Sequence, residues 1–313
     1  MARLPRVKAE NCGTVFYHLY ARVAGIAGYY PLKDSEARNM MIWTIKHYSS
    51  LYKTRVAGFS IMGNHYHMVV EFQQFEKFSK DELKKIFYSF YGKKNRTYVM
   101  WDDKKWEKFN RRLFDVSEFM RNVQAKFACW FNDKNRRKGT FWGGRFKSTL
   151  LEDSKAMRNC LYYVELNSVR AGIVQRPEDF EGGSLFYREI SKDGWMMPLK
   201  EVVPAKNRKT SLINYRAGIY YRGNVRTKAN QKKIPDYIIK QEEANGFKAR
   251  GVYGKRIRYF VDGVALGSSQ FIDSHLKKLR SSNGYSQRKN PIETNEGNLN
   301  YLRPQRKSEI YIG

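Results

Sequence analysis

Hydrophobic and polar residues alternate over 14–23: Val15, Tyr17, Leu19 and Ala21 fall on one side of the chain, Phe16, His18, Tyr20 and Arg22 on the other. A period of two predicts a half-buried strand. The period then lengthens, with Ala37, Met40, Met41, Ile45 and Tyr48 at helical spacing, which predicts a helix over 34–52. A second strand is predicted from Thr54 to Met62 and, after a Gly63-Asn64 break, a third within GNHYHMVVEF at 63–72. There Tyr66, Met68, Val70 and Phe72 take the apolar face, and His65 and His67 share the other. Residues 74–113 lose this periodicity. They are polar, charged and tyrosine-rich, and read as an insertion.

Periodicity returns at Asp115, which can cap a helix with Glu118 at the third position. Val116, Phe119, Met120, Val123, Phe127 and Trp130 form its apolar stripe. The helix ends near Asn135, ahead of the basic loop NRRKGTFWGGRFK. A further helix is predicted over 153–167. Its buried stripe is Met157, Cys160, Leu161 and Val164, while Asn159, Tyr163 and Asn167 recur at every fourth position on a neighbouring face. A strand–helix–strand–strand opening followed by two helices predicts an α+β domain with an antiparallel sheet over 1–190. Residues 191–209 read as a linker, 210–280 as a basic, mostly helical C-terminal region, and 281–313 as a loosely ordered tail.

Charge narrows the field of partners. The 313 residues include 59 Lys and Arg against 30 Asp and Glu, a formal charge of +29. A basic excess of that size, spread along the chain, points to a polyanion, with nucleic acid first. Hydrophobic residues at 42% and aromatics at 15% fill a core, which excludes a disordered polycation. Cys12, Cys129 and Cys160 lie far apart without a C-x-x-C, so neither a zinc cluster nor a disulfide framework is expected. Cys129 and Cys160 fall on apolar helical faces and are expected in the core. No apolar run reaches membrane-spanning length, and MARLPRVKAEN has no apolar segment behind its charges. No membrane partner is expected, and a cytoplasmic, nucleoid-associated location is.

The candidate chemistry centres on His65 and His67, whose imidazoles point the same way as a ready pair of metal ligands. Taken alone, two strand histidines are more often structural. If the 153–167 helix lays its Tyr163 and Asn167 face on that strand, two imidazoles and an amide oxygen would hold a divalent cation. Mixed nitrogen and oxygen donors with open positions suit Mg²⁺ or Mn²⁺. Tyr162 and Tyr163 lie ~100° apart around a helix. Only Tyr163 shares a face with Asn167, and beside a cation its phenol would be a candidate nucleophile on phosphorus. Arg136, Arg137, Lys138, Arg145 and Lys147 are interleaved with Phe141, Trp142 and Phe146. That mixture suits unstacked bases and backbone phosphates, or else a solvated loop. The same two readings hold for Arg216, Arg222, Arg226, Lys232, Lys233 and Arg250. His18, His47 and His275 lack such neighbours in sequence and read as structural.

At these residues the chain resembles a known family. His65-Tyr66-His67 resembles the His-hydrophobe-His signature of the HUH endonucleases, and its surroundings resemble the REP-associated tyrosine transposases, which use a single tyrosine. IMGNHYHMVV, GTFWGGRFKSTLLED and YVELNSVRAGIVQRPEDF match three of that family's motifs in order, and ALGSSQFIDSHLKKLR is similar to a C-terminal extension of its longer members. Ser168 stands where proline is usual, Tyr66 where a Val or Met is, and Gly182-Gly183-Ser184 where Trp-Ser-Ser is common. The 74–113 insertion is long for the family.

The resemblance implies a ferredoxin-like HUH domain that nicks and rejoins single-stranded DNA beside hairpins through a covalent 5′-phosphotyrosine, with Mg²⁺ or Mn²⁺. It implies Tyr163 as nucleophile and His65, His67 and Asn167 as metal ligands. Arg170, inside the third motif, joins Arg136, Arg137, Lys138, Trp142, Arg145 and Lys147 as a candidate DNA contact. The implied partner is hairpin-bearing DNA of REP-like or element-end type, bound by a monomer or homodimer. Two rival readings are a DNA- or RNA-binding protein that has lost turnover, and an HUH replication initiator or relaxase.

Overall fold

The computed structural model describes residues 14–224, 231–247, 263–274, 292–293 and 300–302. The first alternating stretch forms β1 (Val15–Arg22), and the first helical stripe forms α1 (Ser35–Leu51), capped by the Asp34 carboxylate, which accepts the Ala37 N–H at 2.7 Å. Strands β2 (Thr54–Ile61) and β3 (His65–Phe72) follow. The insertion folds into α2 (Lys80–Tyr91) and α3 (Asp103–Arg112), with a small aromatic core of its own around Phe87, Trp106 and Phe109. Next come α4 (Val116–Lys134), β4 (Lys147–Leu151), α5 (Ser154–Glu165), α6 (Asn167–Arg170), α7 (Ser184–Glu189) and α8 (Leu199–Val202). The chain continues through α9 (Arg208–Gly223), α10 (Asp236–Ala244) and the short strands β5 (Ala265–Gly267), β6 (Ile292–Glu293) and β7 (Asn300–Leu302).

Strands β2, β3, β1 and β4 lie side by side in that order, each antiparallel to its neighbour. With α1 joining β1 to β2 and α4 leading into β4, this is the split β-α-β-β-α-β arrangement of a ferredoxin-like fold. One sheet face carries Tyr17, Leu19, Phe59, Tyr66, Met68 and Phe72 and packs on α1 and α4 through Met41, Ile45, Phe119, Val123 and Phe127. The other face carries His18, Tyr20, His65 and His67. It is covered by α5, whose Met157, Cys160, Leu161 and Val164 pack with Ala57 and Val69. Cys129 is exposed, contrary to expectation, because the buried arc of α4 runs through Val123, Phe127 and Phe131 and leaves position 129 outside.

The close seat of α5 depends on a bulge in β2 between Val56 and Gly58. A Cβ on Gly58 would lie 2.6 Å from Leu161 Cδ2 and 2.7 Å from Ser184 Oγ. As an edge strand β2 has ladder groups with no strand partner, and the chain after α6 supplies partners. Ile61 N donates to Gly182 O at 2.8 Å and Phe59 N to Ser184 Oγ at 3.0 Å. Met197 N donates to Val56 O at 2.8 Å, and the buried Arg188 donates to Ala57 O at 2.9 Å. Gly182 is needed for that approach, since a Cβ there would meet Ile61 O at 2.7 Å.

Two expectations about the second half of the chain are corrected. Residues 191–209 are no free linker: Met196, Met197, Leu199, Val202 and Val203 are buried, and α9 packs on α5 through Tyr215 and Ile219. Within 210–280 the described residues include the helices α9 and α10 and the short strand β5, and the expected loose tail also contributes strands. β5 pairs parallel with β4, and β7, within the expected tail, pairs with β5, extending the sheet to β2-β3-β1-β4-β5-β7-β6. Strands of two or three residues are too short for alternation to announce them. The segments 1–13 and 303–313 lie outside the described residues.

Replacing Gly58 with alanine is expected to cost about 1–3 kcal/mol, the usual cost of overpacking a tight interface. Gly194→Ala, at a position with open space around it, is the neutral control. Urea unfolding of the two variants checks this; equal stabilities would mean that α5 does not need the glycine.

Candidate active site

Strand register builds the site. Tyr20 lies opposite His67 and Arg22 opposite His65, while β4 sets Lys147 opposite Tyr20. Lys147, Tyr20 and His67 thus form one rung on the face covered by α5. His67 is only 2% exposed and is closed in by rings: Tyr20 at 4.9 Å, a stacked His18 at 5.1 Å and an edge-on Tyr163 at 5.5 Å between centroids. The His65 ring is 5.2 Å from that of His67, and both His65 and Tyr163 are partly open to solvent.

Burial keeps both imidazoles neutral. It lowers the His65 pKa to about 4, assisted by the charge of Arg22, and lowers that of His67, with His18 and His65 adding to the effect. Neutral His65 donates from Nδ1 to Asn64 Oδ1 at 2.8 Å, which leaves its lone pair on Nε2. His67 Nδ1 lies 2.9 Å from His18 Nε2. With the shared proton on His67 Nδ1, the lone pair of His67 also sits on Nε2. Each imidazole is therefore oriented through Nδ1, the arrangement found behind metal-ligating histidines. The sequence alone predicts a structural role for His18. The signal that would have found it is its parity with Tyr20 and Arg22 on the polar side of β1, which makes it a diagonal neighbour of His67.

Helix α5 separates the two candidate tyrosines. Tyr163 points to the histidines, 6.1 Å from the His18 ring as well as 5.5 Å from that of His67. Tyr162 turns to α9, where Tyr215 lies at 5.7 Å, Arg222 sits 5.3 Å over the ring, and Gly218 leaves room for it. Arg170, 9% exposed, holds its guanidinium carbon 5.5 Å from the Tyr163 ring centre. Asn167 opens α6 one turn beyond Tyr163. Its Nδ2 donates to Val164 O at 3.2 Å, a bond that uses the amide nitrogen and not the oxygen. Among the described residues no group of three His, Cys, Asp or Glu side chains is placed to hold a metal. The donors the structure places side by side are the two neutral imidazoles of His65 and His67, a pair that would suit a divalent ion with further positions open.

The basic loop before β4 differs from the expected stacking surface. Phe141 and Phe146 are buried, and Trp142 packs on Tyr66 and Phe127 while donating Nε1–H to Gln124 O at 2.9 Å. The interleaved aromatics are core, because the loop must seat on α4 and β1. Trp142, expected as a DNA contact, is partly buried and packs against the core with its indole N–H committed to Gln124. Arg136, Lys138, Arg145 and Lys147 are exposed, and Arg137 folds back to donate to the Tyr29 hydroxyl at 3.3 Å. Further on, Arg216 pairs with Glu178 at 2.7 Å and Glu242 at 3.2 Å, and Arg222 donates to Asn159 Oδ1 at 3.0 Å. Those two cations hold the interior together. His47 stacks on Trp43 at 4.9 Å, away from the site. Arg226, Arg250, His275 and Cys12 lie outside the described residues.

No protein-family model matches the chain, and no curated protein matches it. Among solved structures it is similar to a REP-associated tyrosine transposase bound to a REP hairpin, with 14% identity and a TM-score of 0.40, over 61% of this chain and 86% of that one. Among the described residues no helix is long and apolar enough to cross a membrane.

Trp142→Phe, which keeps a ring but drops the N–H to Gln124, is expected to cost about 1 kcal/mol of stability and to leave binding of single-stranded DNA unchanged. Chemical unfolding and fluorescence anisotropy measure the two effects. Normal stability with weakened DNA binding would return Trp142 to the surface.

Proposed function

We propose that this chain is a metal-dependent transposase that nicks and rejoins single-stranded DNA beside hairpins, with Tyr163 as its nucleophile. The observation that carries this reading is the packing of the Tyr163 ring against His67 on the sheet face that also bears His65, Tyr20, Arg22 and Lys147. The three ordered motifs around those residues support it.

In the step we infer, Tyr163 Oη attacks a backbone phosphorus. The Oη–P bond forms as the P–O3′ bond breaks, the phenol gives up its proton and the 3′ oxygen gains one. The products are a 5′-phosphotyrosine and a free 3′-OH. Attack by another 3′-OH reverses the exchange, rejoins the strand and frees Tyr163. The Arg170 guanidinium lies over the Tyr163 ring, and with Arg22 and Lys147 would offer positive charge to the entering phosphate. His65, His67 and Asn167 would hold Mg²⁺ or Mn²⁺, which when bound stabilises negative charge on the phosphate oxygens. The hydrogen bond that His67 Nδ1 donates to His18 Nε2 would set the tautomer and direction of His67. The DNA partner in this reading is hairpin-bearing single strand of REP-like or element-end type.

The test is a suicide-substrate assay. Single-stranded DNA from the region flanking the gene is incubated with Mn²⁺ or EDTA and run on a denaturing gel. A covalent band is expected with Mn²⁺ only, retained in Tyr162→Phe and lost in Tyr163→Phe. A band surviving in Tyr163→Phe would overturn the assignment, and tight binding without any band would favour a binding protein without turnover.

His18→Phe is expected to lower Mn²⁺ affinity about 10- to 100-fold, the usual cost of removing the group behind a ligating histidine. Calorimetric titration of Mn²⁺ into wild type and variant reads this directly. Equal affinities would remove His18 from the site.

A further inference from the structure

The end of the sheet where β3 begins carries an exposed apolar lip that the catalytic reading does not use. Ile26 is 85% exposed, more than any other large hydrophobic side chain among the described residues, and Tyr30 is 44% exposed. Both lie in the connection between β1 and α1, and that connection is braced. Gly25, at φ +141°, lets the Tyr29 ring fold over it; a Cβ there would lie 2.8 Å from Tyr29 Cδ1. Tyr29 N donates to Ile26 O at 3.3 Å, and Arg137 donates to the Tyr29 hydroxyl at 3.3 Å. Tyr29 thus fills the underside of the turn and Ile26 stands at its tip.

The lip is also fixed relative to the site. Tyr30 lies against Gly63, where a Cβ would come within 3.1 Å of Tyr30 Cβ and Cδ1. Gly63 is two residues before His65, and the Asn64 side chain between them holds the His65 ring. Val23 N donates to Asn64 O at 2.9 Å and Ala24 N to Phe141 O at 2.8 Å, joining the turn to both the histidine strand and the basic loop. Cations surround it: the Lys33 ammonium sits 4.8 Å over the Tyr30 ring, and Arg136 and Lys138 are exposed in the loop that Arg137 ties to Tyr29.

We propose that Ile26 and Tyr30 form a base-contact lip for the unpaired strand next to the scissile phosphate. An unstacked base would lie against the Tyr30 ring and Ile26, with its phosphates on Lys33, Arg136 and Lys138. The occupant is single-stranded rather than duplex nucleic acid. A ring and an aliphatic tip reward the apolar face of an unstacked base, whereas a duplex flank offers mainly phosphate. This rests on the reading of the chain as a single-strand DNA enzyme, and it adds a group that would select where along the strand Tyr163 acts.

The test compares two fluorescein-labelled probes by anisotropy: a short oligothymidylate and an abasic strand with the same backbone length and charge. Ile26→Ser, at a site exposed enough to leave folding intact, and Tyr30→Leu are each expected to weaken oligothymidylate binding about fivefold or more and to leave the abasic probe unchanged. Equal losses on both probes, or none on either, would overturn the lip, as would failure of wild type to bind either probe. The covalent-adduct assay decides the parent reading separately. A base-dependent loss without any adduct keeps the lip and removes the nickase; an adduct with no base dependence removes the lip alone.

Discussion

The pairing of Tyr20 with His67 across β1 and β3 decides which side chains share the face beneath α5. Strand side chains have a period of two, so a slip of one residue would drive His65 and His67 into the aromatic layer and turn Tyr66, Met68, Val70 and Phe72 outward. Those four are wholly buried, and exposing each would cost about 1.5–3 kcal/mol. The register of the histidines is therefore enforced by the apolar residues between them. Tyr66, bulkier than the residue usual at that position in the family the chain resembles, belongs to this enforcement: its ring sits 5.4 Å from that of Trp142 in the core.

Placing the phenol is a separate problem, and a buried polar network solves it. Two residues after Tyr163 the Glu165 carboxylate accepts from Ser184 Oγ at 2.5 Å, the Tyr215 hydroxyl at 3.1 Å and Leu185 N at 3.3 Å. Burial pushes its pKa up to about 7, and those donors hold it from rising further. Ser184 in turn accepts from Phe59 N on the edge of β2, and Arg188 bridges the carbonyls of Ala57 and Met197. Such groups are costly to bury and stabilise little net. What they supply is position: they pin the C-terminal turn of α5 to β2, α7 and α9 together, which fixes the direction Tyr163 takes toward His67.

Much of this was legible in the sequence because it followed from periodicity. The alternation of 14–23 and of the histidine strand sets the faces found in the sheet, and the spacing of Tyr163 and Asn167 four residues apart separates Tyr163 from Tyr162. What periodicity could not show were contacts made between elements. His18 belongs to the site only because β1 lies beside β3, a fact of sheet order. Phe141, Trp142 and Phe146 looked like a stacking surface because composition does not say which way a loop residue turns. Met196 to Val203 carried the proline and charge of a linker, yet their backbone was needed to close the edge of β2. The C-terminal strands were invisible for want of length.

The distribution of acids bears on the proposed reaction at a phosphate. Glu71 lies on the same sheet face, but Arg55 holds it at 2.5 Å at the far end of β3. Glu165 is sealed beneath α7 and α9, and Glu178 and Glu242 are paired with Arg216. What shares this face with the histidines is a phenol, from Tyr163, among Arg22, Lys147 and Arg170. Two imidazoles and an amide bring no negative charge of their own, so in the proposed reaction a dication would gain most of its attraction from the phosphate itself. Cation and DNA would then strengthen each other's binding, because each supplies the charge the protein leaves out. A carboxylate-rich site would hold the metal without substrate but repel the phosphate, so in the proposed reaction neutral donors have a physical reason.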